Sequence, residues 1–135
     1  MRVFLDANVL FSGAQPHSRM RALLQILFKR ADCLTNSYAL EEVRRNLVLK
    51  YPEALPHFET LVKKCELTVS AHAELPVPLK EKDQPILAGA IAGRATHLVT
   101  GNQTDFGHPF GKTVEGVKVV SPKMLAEELV ELGWL

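Results

Sequence analysis

Apolar residues fall in short blocks whose spacing switches repeatedly along the 135-residue chain. Val3-Phe4-Leu5 is an uninterrupted apolar run and predicts a fully buried strand. Leu23, Leu24, Ile26, Leu27 and Phe28 recur at helical spacings and predict a first helix over Arg19–Arg30. Ala31–Thr35 reads as a second strand. Ser37 then offers an N-cap hydroxyl, and Leu40, Val43 and Leu47 follow as the stripe of an amphipathic helix. Leu55, Phe58, Leu61 and Val62 predict another helix that ends near Cys65, and Leu67-Thr68-Val69 is strand-like. Pro76 and Pro78 make Ala73–Pro78 a loop. Asp83-Gln84-Pro85 has the form of a helix start, with Ile86, Leu87, Ala90 and Ile91 as the apolar face. His97–Thr100 and Val117–Val120 are strands, and Ser121-Pro122 opens a last helix through Met124, Leu125, Leu129 and Leu132.

Strands that alternate with helices imply a mostly parallel sheet. The strands are near-continuous apolar runs rather than alternating ones, as burial on two faces requires. The expected fold is therefore α/β, a three-layer α/β/α sandwich with a mostly parallel central sheet, and one domain spanning residues 1–135. Ligands of such folds sit outside the carboxyl ends of the strands, where the strand order reverses.

Composition narrows the classes. Apolar residues make up 47% and charged residues 23%, which excludes disorder, collagen-like repeats and coiled coil. No stretch approaches the roughly 20 apolar residues of a membrane span. Sixteen Lys and Arg against fifteen Asp and Glu leave a net charge of +1, so nucleic acid would have to be met by a local basic patch. Cys33 and Cys65 fit no CxxC spacing and are expected to be buried thiols in a reducing cytosol. Met-Arg-Val-Phe-Leu-Asp enters a strand at once with no targeting segment before it, so a cytoplasmic location is expected.

Acidic residues gather near the strand ends. Asp6 follows the first strand, and Asp105 lies just beyond Thr100 in Thr-Gly-Asn-Gln-Thr-Asp-Phe. Asp83 precedes Ile86, Leu87 and Ala90 by three, four and seven residues and so shares the inward stripe of its helix. That position serves equally as a plain N-cap or as part of a site, and the spacing does not say at which sheet edge it lies. Glu41 and Glu42 both project off the Leu40/Val43/Leu47 stripe, and periodicity does not choose between them.

Four of these segments together resemble the PIN domain family. They are Val-Phe-Leu-Asp6-Ala-Asn8-Val-Leu, Ala-Leu-Glu-Glu42-Val-Arg-Arg-Asn-Leu, Lys-Asp83-Gln-Pro-Ile-Leu-Ala-Gly-Ala, and Leu-Val-Thr-Gly-Asn102-Gln-Thr-Asp105-Phe. Each is weak alone, but the ordered set spans residues 3–106. The chain is most similar to small single-domain PIN toxins of the VapC type, from toxin–antitoxin pairs. The resemblance implies a metal-dependent ribonuclease site at the carboxyl edge that joins Asp6, Glu42, Asp83 and Asp105 as catalytic and metal-ligating acids. It favours Glu42 over Glu41 and turns Asp83 toward the site. Asn8, Thr100 and Asn102 would support these acids. This chain has Asn at 102 followed by an acid at 105, the pattern of some relatives, where others carry Asp at the first position. A homodimer and a cognate antitoxin that covers the acidic site are also implied.

The chemistry is self-consistent. Two carboxylates ~4 Å apart repel by roughly 4 kcal/mol at an effective dielectric of 20, and they would also repel a phosphodiester. A hard divalent cation, Mg²⁺ or Mn²⁺, relieves both problems and accepts oxygen ligands. The five histidines form no metal-ligand spacing. The expected reaction is hydrolysis of RNA by in-line attack of water, with Asp6 and Asp83 as principal ligands. Arg44 and Arg45, close behind Glu42, are candidate phosphate contacts, although a solvated helix face also explains them.

Other motifs carry less. Gly107 to Thr113 is one residue short of a phosphate-binding loop, and a strand follows where a helix is required. Gly89 and Gly93 fit close helix–sheet packing. Two rival classes remain: a catalytically degenerate module that binds RNA or protein, and a phosphoryl-transfer or receiver domain of similar layout.

Overall fold

A computed structural model describes residues 1–69, 83–101 and 110–135. The loop expected at Ala73–Pro78 lies outside the described residues, as do Asn102 and Asp105. Among the described residues the order is β1 (Arg2–Leu5), α1 (Ala7–Ala14), α2 (Arg19–Arg30), β2 (Asp32–Asn36), α3 (Ser37–Lys50), a 3₁₀ turn (Pro52–Ala54), α4 (Leu55–Val62), β3 (Glu66–Thr68), α5 (Gln84–Ala92), β4 (His97–Val99), β5 (Thr113–Val114), β6 (Val117–Val120) and α6 (Pro122–Glu131).

The sheet runs β3-β2-β1-β4-β6-β5. Every neighbouring pair is parallel except β5 with β6. Val3, Phe4 and Leu5 are all 0% exposed. Successive strand residues point to opposite faces, so both faces of β1 are covered. Phe4 points toward Gly89 on α5, which puts α5 on that face and leaves Val3 and Leu5 to the other. The expected mostly parallel α/β architecture is what the chain adopts.

Three local features depart from the sequence reading. A helix, α1, follows Asp6 directly. Its buried residues Ala7, Val9, Leu10, Gly13 and Ala14 share one face, but over only eight residues that stripe is short and the sequence reading passes over it. The start of α1 carries a capping acid, and its end is closed from the next helix. The Asp6 carboxylate accepts the Ala7 N–H at 2.6 Å, and the Arg21 guanidinium of α2 donates to the carbonyls of Gly13 (3.3 Å) and Ala14 (2.8 Å). At α3 the capping residue is Asn36 rather than Ser37. β2 carries extended backbone through Asn36, whose side-chain oxygen accepts the Ala39 N–H at 3.0 Å, and Ser37 is already helical. The short strand β5 pairs with β6 through Glu115 (φ 49°) and Gly116 (φ 84°). Two positive-φ residues between Val114 and Val117 make the tight turn whose twist matches a hairpin.

The strand order reverses beside β1: the chain builds outward through β2 and β3, then returns to place β4 on the other side. The carboxyl ends of β1 and β4 therefore flank the switch point. α5 is packed tightly against this centre. The Asn36 amide donates to the Pro85 carbonyl at 3.1 Å, and the Thr68 hydroxyl donates to the Gly89 carbonyl at 3.0 Å. A Cβ on Gly89 would collide with the Asn36 side chain and lie 3.1 Å from the Phe4 ring. Close helix–sheet packing is thus the role of this glycine.

This geometry sets the sign of a substitution. Gly to Ala inside a helix ordinarily stabilises by up to about 1 kcal/mol, whereas overpacking a full core costs about 1–3 kcal/mol. Gly89→Ala is expected to lower unfolding stability by on the order of 1–2 kcal/mol in urea denaturation. A stabilised variant would contradict the packing described.

Candidate active site

Asp6 is set by β1. Its backbone N–H continues the ladder to the Val99 carbonyl at 3.2 Å, so the side chain emerges at the carboxyl edge between β1 and β4. It is 5% exposed. One carboxylate oxygen accepts the Ala7 N–H, and the other accepts the Thr100 hydroxyl at 2.8 Å. Thr100, fully buried at the end of β4, is fixed in turn by its N–H to the Val120 carbonyl at 3.0 Å. Asn8 completes this corner. Its amide oxygen accepts the Gly101 N–H at 2.9 Å, and its nitrogen lies 3.4 Å from the Thr100 hydroxyl.

Two further acids come to the same place from other elements. Glu42 stands on α3, and Asp83 immediately precedes α5. Asp6, Glu42 and Asp83 line one cleft of about 210 Å³. The edge on which Asp83 lies follows from connectivity. α5 leads into β4, and the Ala95 and Thr96 N–H groups bond back to Ala90 and to Arg2 at the start of β1. The helix therefore ends at the amino edge and begins at the carboxyl edge. Asp83 is 6% exposed and makes no side-chain capping bond to α5, so the plain N-cap role is not the one it takes. Of the two adjacent glutamates, Glu42 lines the cleft, whereas Glu41 is exposed and does not.

Charge binds the three acids into one unit. Burial pushes the Asp6 carboxyl up from its ordinary 3.8 to about 6. The Thr100 hydroxyl and the Ala7 N–H pull it down, and the carboxylates of Glu42 and Asp83 push it up again. A buried acid that retains its proton up to pH 6 is held against its own solvation by the fold.

The remaining lining was not anticipated from sequence. Asn46 and Lys50 follow Glu42 at i+4 and i+8 on α3, and Phe11 and Ile86 form apolar walls. Their signal was the spacing from Glu42, which becomes readable once Glu42 is known to face the cleft. Neither Arg44 nor Arg45 lines it. The Arg44 guanidinium forms a two-pronged pair with Glu59 at 2.8 and 3.2 Å and lies 5.5 Å from the centre of the Phe58 ring. Cys33 and Cys65 are both free, and burial pushes each thiol up to about 12, so neither is a reactive nucleophile at neutral pH.

Asn36 also escaped the sequence reading. Fully buried, it caps α3 and holds the Pro85 carbonyl, so one side chain ties the helix bearing Glu42 to the start of the helix that follows Asp83. A lone Asn before a Ser offers no sequence signal for a second partner 49 residues away.

In kind, the oxygen donors of the cleft suit a hard cation. Among the described residues no three Asp, Glu, His or Cys side chains already stand together so as to hold one ion. Also among the described residues, no helix is long and apolar enough to cross a membrane.

Comparison with known proteins accords with this geometry. Comparison with curated proteins by sequence finds no match. By structure the chain is similar to a VapBC2 crystal structure from Rickettsia felis, solved bound to a DNA fragment from its promoter. The TM-score is 0.68 at 18% identity, over 90% of this chain and 98% of that one, which is a likeness of fold. A family model for the PIN domain matches residues 2–104. That match takes in Asp6, Glu42 and Asp83 together with the whole switch point around them, and the chain belongs to the PIN domain family.

Proposed function

We propose that the protein is a metal-dependent ribonuclease that hydrolyses RNA phosphodiester bonds, the toxin partner of a toxin–antitoxin pair. The observation that carries this reading is the convergence of Asp6, Glu42 and Asp83, from three separate elements, on one cleft at the carboxyl edge. The fold likeness to VapBC2 supports the toxin assignment and with it a cognate antitoxin. A homodimer belongs to the same reading.

Asp6 and Asp83 would hold Mg²⁺ or Mn²⁺, with Glu42 and Asp105 as further ligands or as holders of water. When bound, the ion supplies positive charge to the attacked phosphate and acidifies a water molecule. The chain's own groups do the rest. Thr100 donates to Asp6 and leaves its carboxylate aimed into the cleft. Asn8 steadies the turn at Gly101. Glu42, half-buried on the cleft wall, would hold the attacking water and could accept its proton. Ile86 and Phe11 supply apolar wall to the cleft beside the acids.

A second reading, a catalytically degenerate PIN module that binds RNA or protein, is favoured by one fact: among the described residues no three acids are already poised on a single point. Incubation of purified protein with defined RNAs, with Mn²⁺ or with chelator, separates the two. Cleavage that needs Mn²⁺ supports the ribonuclease. Tight RNA binding with no cleavage under any metal supports the binding module.

Three outcomes follow. Asp6→Asn is expected to reduce cleavage at least about 100-fold, since even groups outside the ligand set commonly matter tenfold to 100-fold. The same variant should be more stable than the parent at pH 7 without metal. The folded carboxyl titrates near 6 and an ordinary aspartate near 3.8, so folding favours the protonated form. Its stabilising contribution is full below pH 3.8 and is lost as the pH rises through 6. At pH 7 this amounts to on the order of 3 kcal/mol. The stability gap between Asp6→Asn and parent, read by urea titration, should widen between pH 4 and 7; a constant gap would contradict the burial described. Mn²⁺ should raise the thermal midpoint of the parent at pH 7 and not that of Asp6→Asn. An equal shift in both would place the ion elsewhere.

A further inference from the structure

The acids explain how a cleft of this kind could activate a phosphodiester, but three carboxylates repel RNA, and the two arginines nearest Glu42 in sequence do not line the cleft. Lys50 does, and it is the cation that lines it among the described residues. Lys50 shares one face of α3 with Glu42 and Asn46, eight and four residues away, which sets its Cα about 12 Å along the helix from that of Glu42. Its ammonium lies 5.9 Å from the centre of the Phe11 ring, and the Tyr51 ring stands 5.9 Å from Phe11, tilted by 55°. Lys50 is exposed, Tyr51 is 43% exposed, and Phe11 is half-buried against the core. The cleft thus includes an aromatic wall with a positive charge near its ring and an amide on the same helix face as that charge.

We propose that Lys50, Asn46 and Phe11 form the seat for the single-stranded nucleotide that flanks the cleaved bond: Lys50 takes its phosphate, Asn46 hydrogen-bonds its sugar, and Phe11, backed by Tyr51, stacks its base. This rests on the ribonuclease reading of the same cleft. The chemistry matches in each part. An ammonium meets a phosphate as a point charge, an amide both donates and accepts, and every base has a face that stacks on an aromatic ring. A general role at the helix end would explain a lysine in the last turn of α3, but not its place in the cleft wall over an aromatic ring.

The test separates this seat from the hydrolysis reading. Binding of a labelled single-stranded RNA oligonucleotide is measured by anisotropy across a salt series, in the Asp6→Asn background and without metal. Adding Lys50→Met should weaken binding about tenfold at low salt and reduce the slope of log affinity against log salt by about 0.7, the value of one phosphate contact on a single strand. Lys50→Arg should restore the slope. Phe11→Ala should weaken binding roughly fivefold to 100-fold with the slope intact. Far-UV circular dichroism checks that each variant folds, and Phe11→Leu serves if Phe11→Ala does not. In the otherwise native protein with Mn²⁺, Lys50→Met should raise KM several-fold and change kcat less than twofold. If the parent cleaves RNA and Lys50→Met keeps the parental KM and salt slope, the seat is overturned while the ribonuclease stands. If RNA binds with a Lys50-dependent slope and nothing is cleaved, the seat stands and the hydrolysis reading falls. If no RNA binds at all, both fall.

Discussion

A carboxylate withdrawn from water next to two others is the central constraint of this molecule. Asp6 is nearly solvent-free, and its pKa rises to about 6 because burial and the fields of Glu42 and Asp83 outweigh its two hydrogen bonds. Such a group stays in place only because the surrounding structure leaves it nowhere else to go. It follows β1 in the strand ladder, caps α1 and is gripped by Thr100, so turning the carboxylate out to solvent would break the helix cap and a buried hydroxyl contact together. The rest of the fold can be understood as what makes that confinement affordable.

The confinement is built from the topology outward. Parallel β1 and β4 lie side by side at the switch point, which brings residues 94 positions apart, Asp6 and Thr100, into one hydrogen bond. α3 and α5 are then set against this pair by a single buried amide, Asn36, which touches both. Gly89 allows α5 to approach so closely that the Asn36–Pro85 bond can form. Glu42 and Asp83 therefore reach Asp6 through packing, without any direct bond between the helices that carry them being required. The same cleft is also lined by Phe11 and by the exposed Lys50, whose ammonium lies 5.9 Å from the centre of the Phe11 ring.

Much of the frame was legible because its causes are local. Near-continuous apolar runs placed β1, β4 and β6, and the helical spacing of Leu23, Leu24 and Leu27 located α2 with its observed limits. The exceptions also have local causes. α1 is only eight residues long, so its one-sided stripe is short, and it is closed by Arg21 from the next helix, so it shows no ordinary stop. β5 is two residues long, below the length at which alternation means anything, although its Glu-Gly turn was present to be read.

By itself the sequence determined the α/β order, the edge where acids would gather, and the family to which its motifs belong. Those properties depend on residue type and on spacing within a few turns of chain. Spacing left open which acids meet: the family resemblance favours Glu42 and Asp83, and tertiary structure brings them to one cleft with Asp6. Glu41 and Glu42 are separated by about 100° of helix rotation, and both lie off the apolar stripe, so only the docking of α3 on the sheet selects Glu42. Asp83 could equally have capped α5 at either edge, until the route from α5 into β4 fixed the edge and the absent capping bond left its side chain in the cleft. Lys50 is one of many surface cations in the sequence and gains its place only because the face of α3 that carries Glu42 carries it too. The physical reason is common to all three: periodicity fixes the direction of a side chain relative to its own helix axis, whereas convergence on one cleft depends on how separate axes pack, and that is set by contacts between residues distant along the chain.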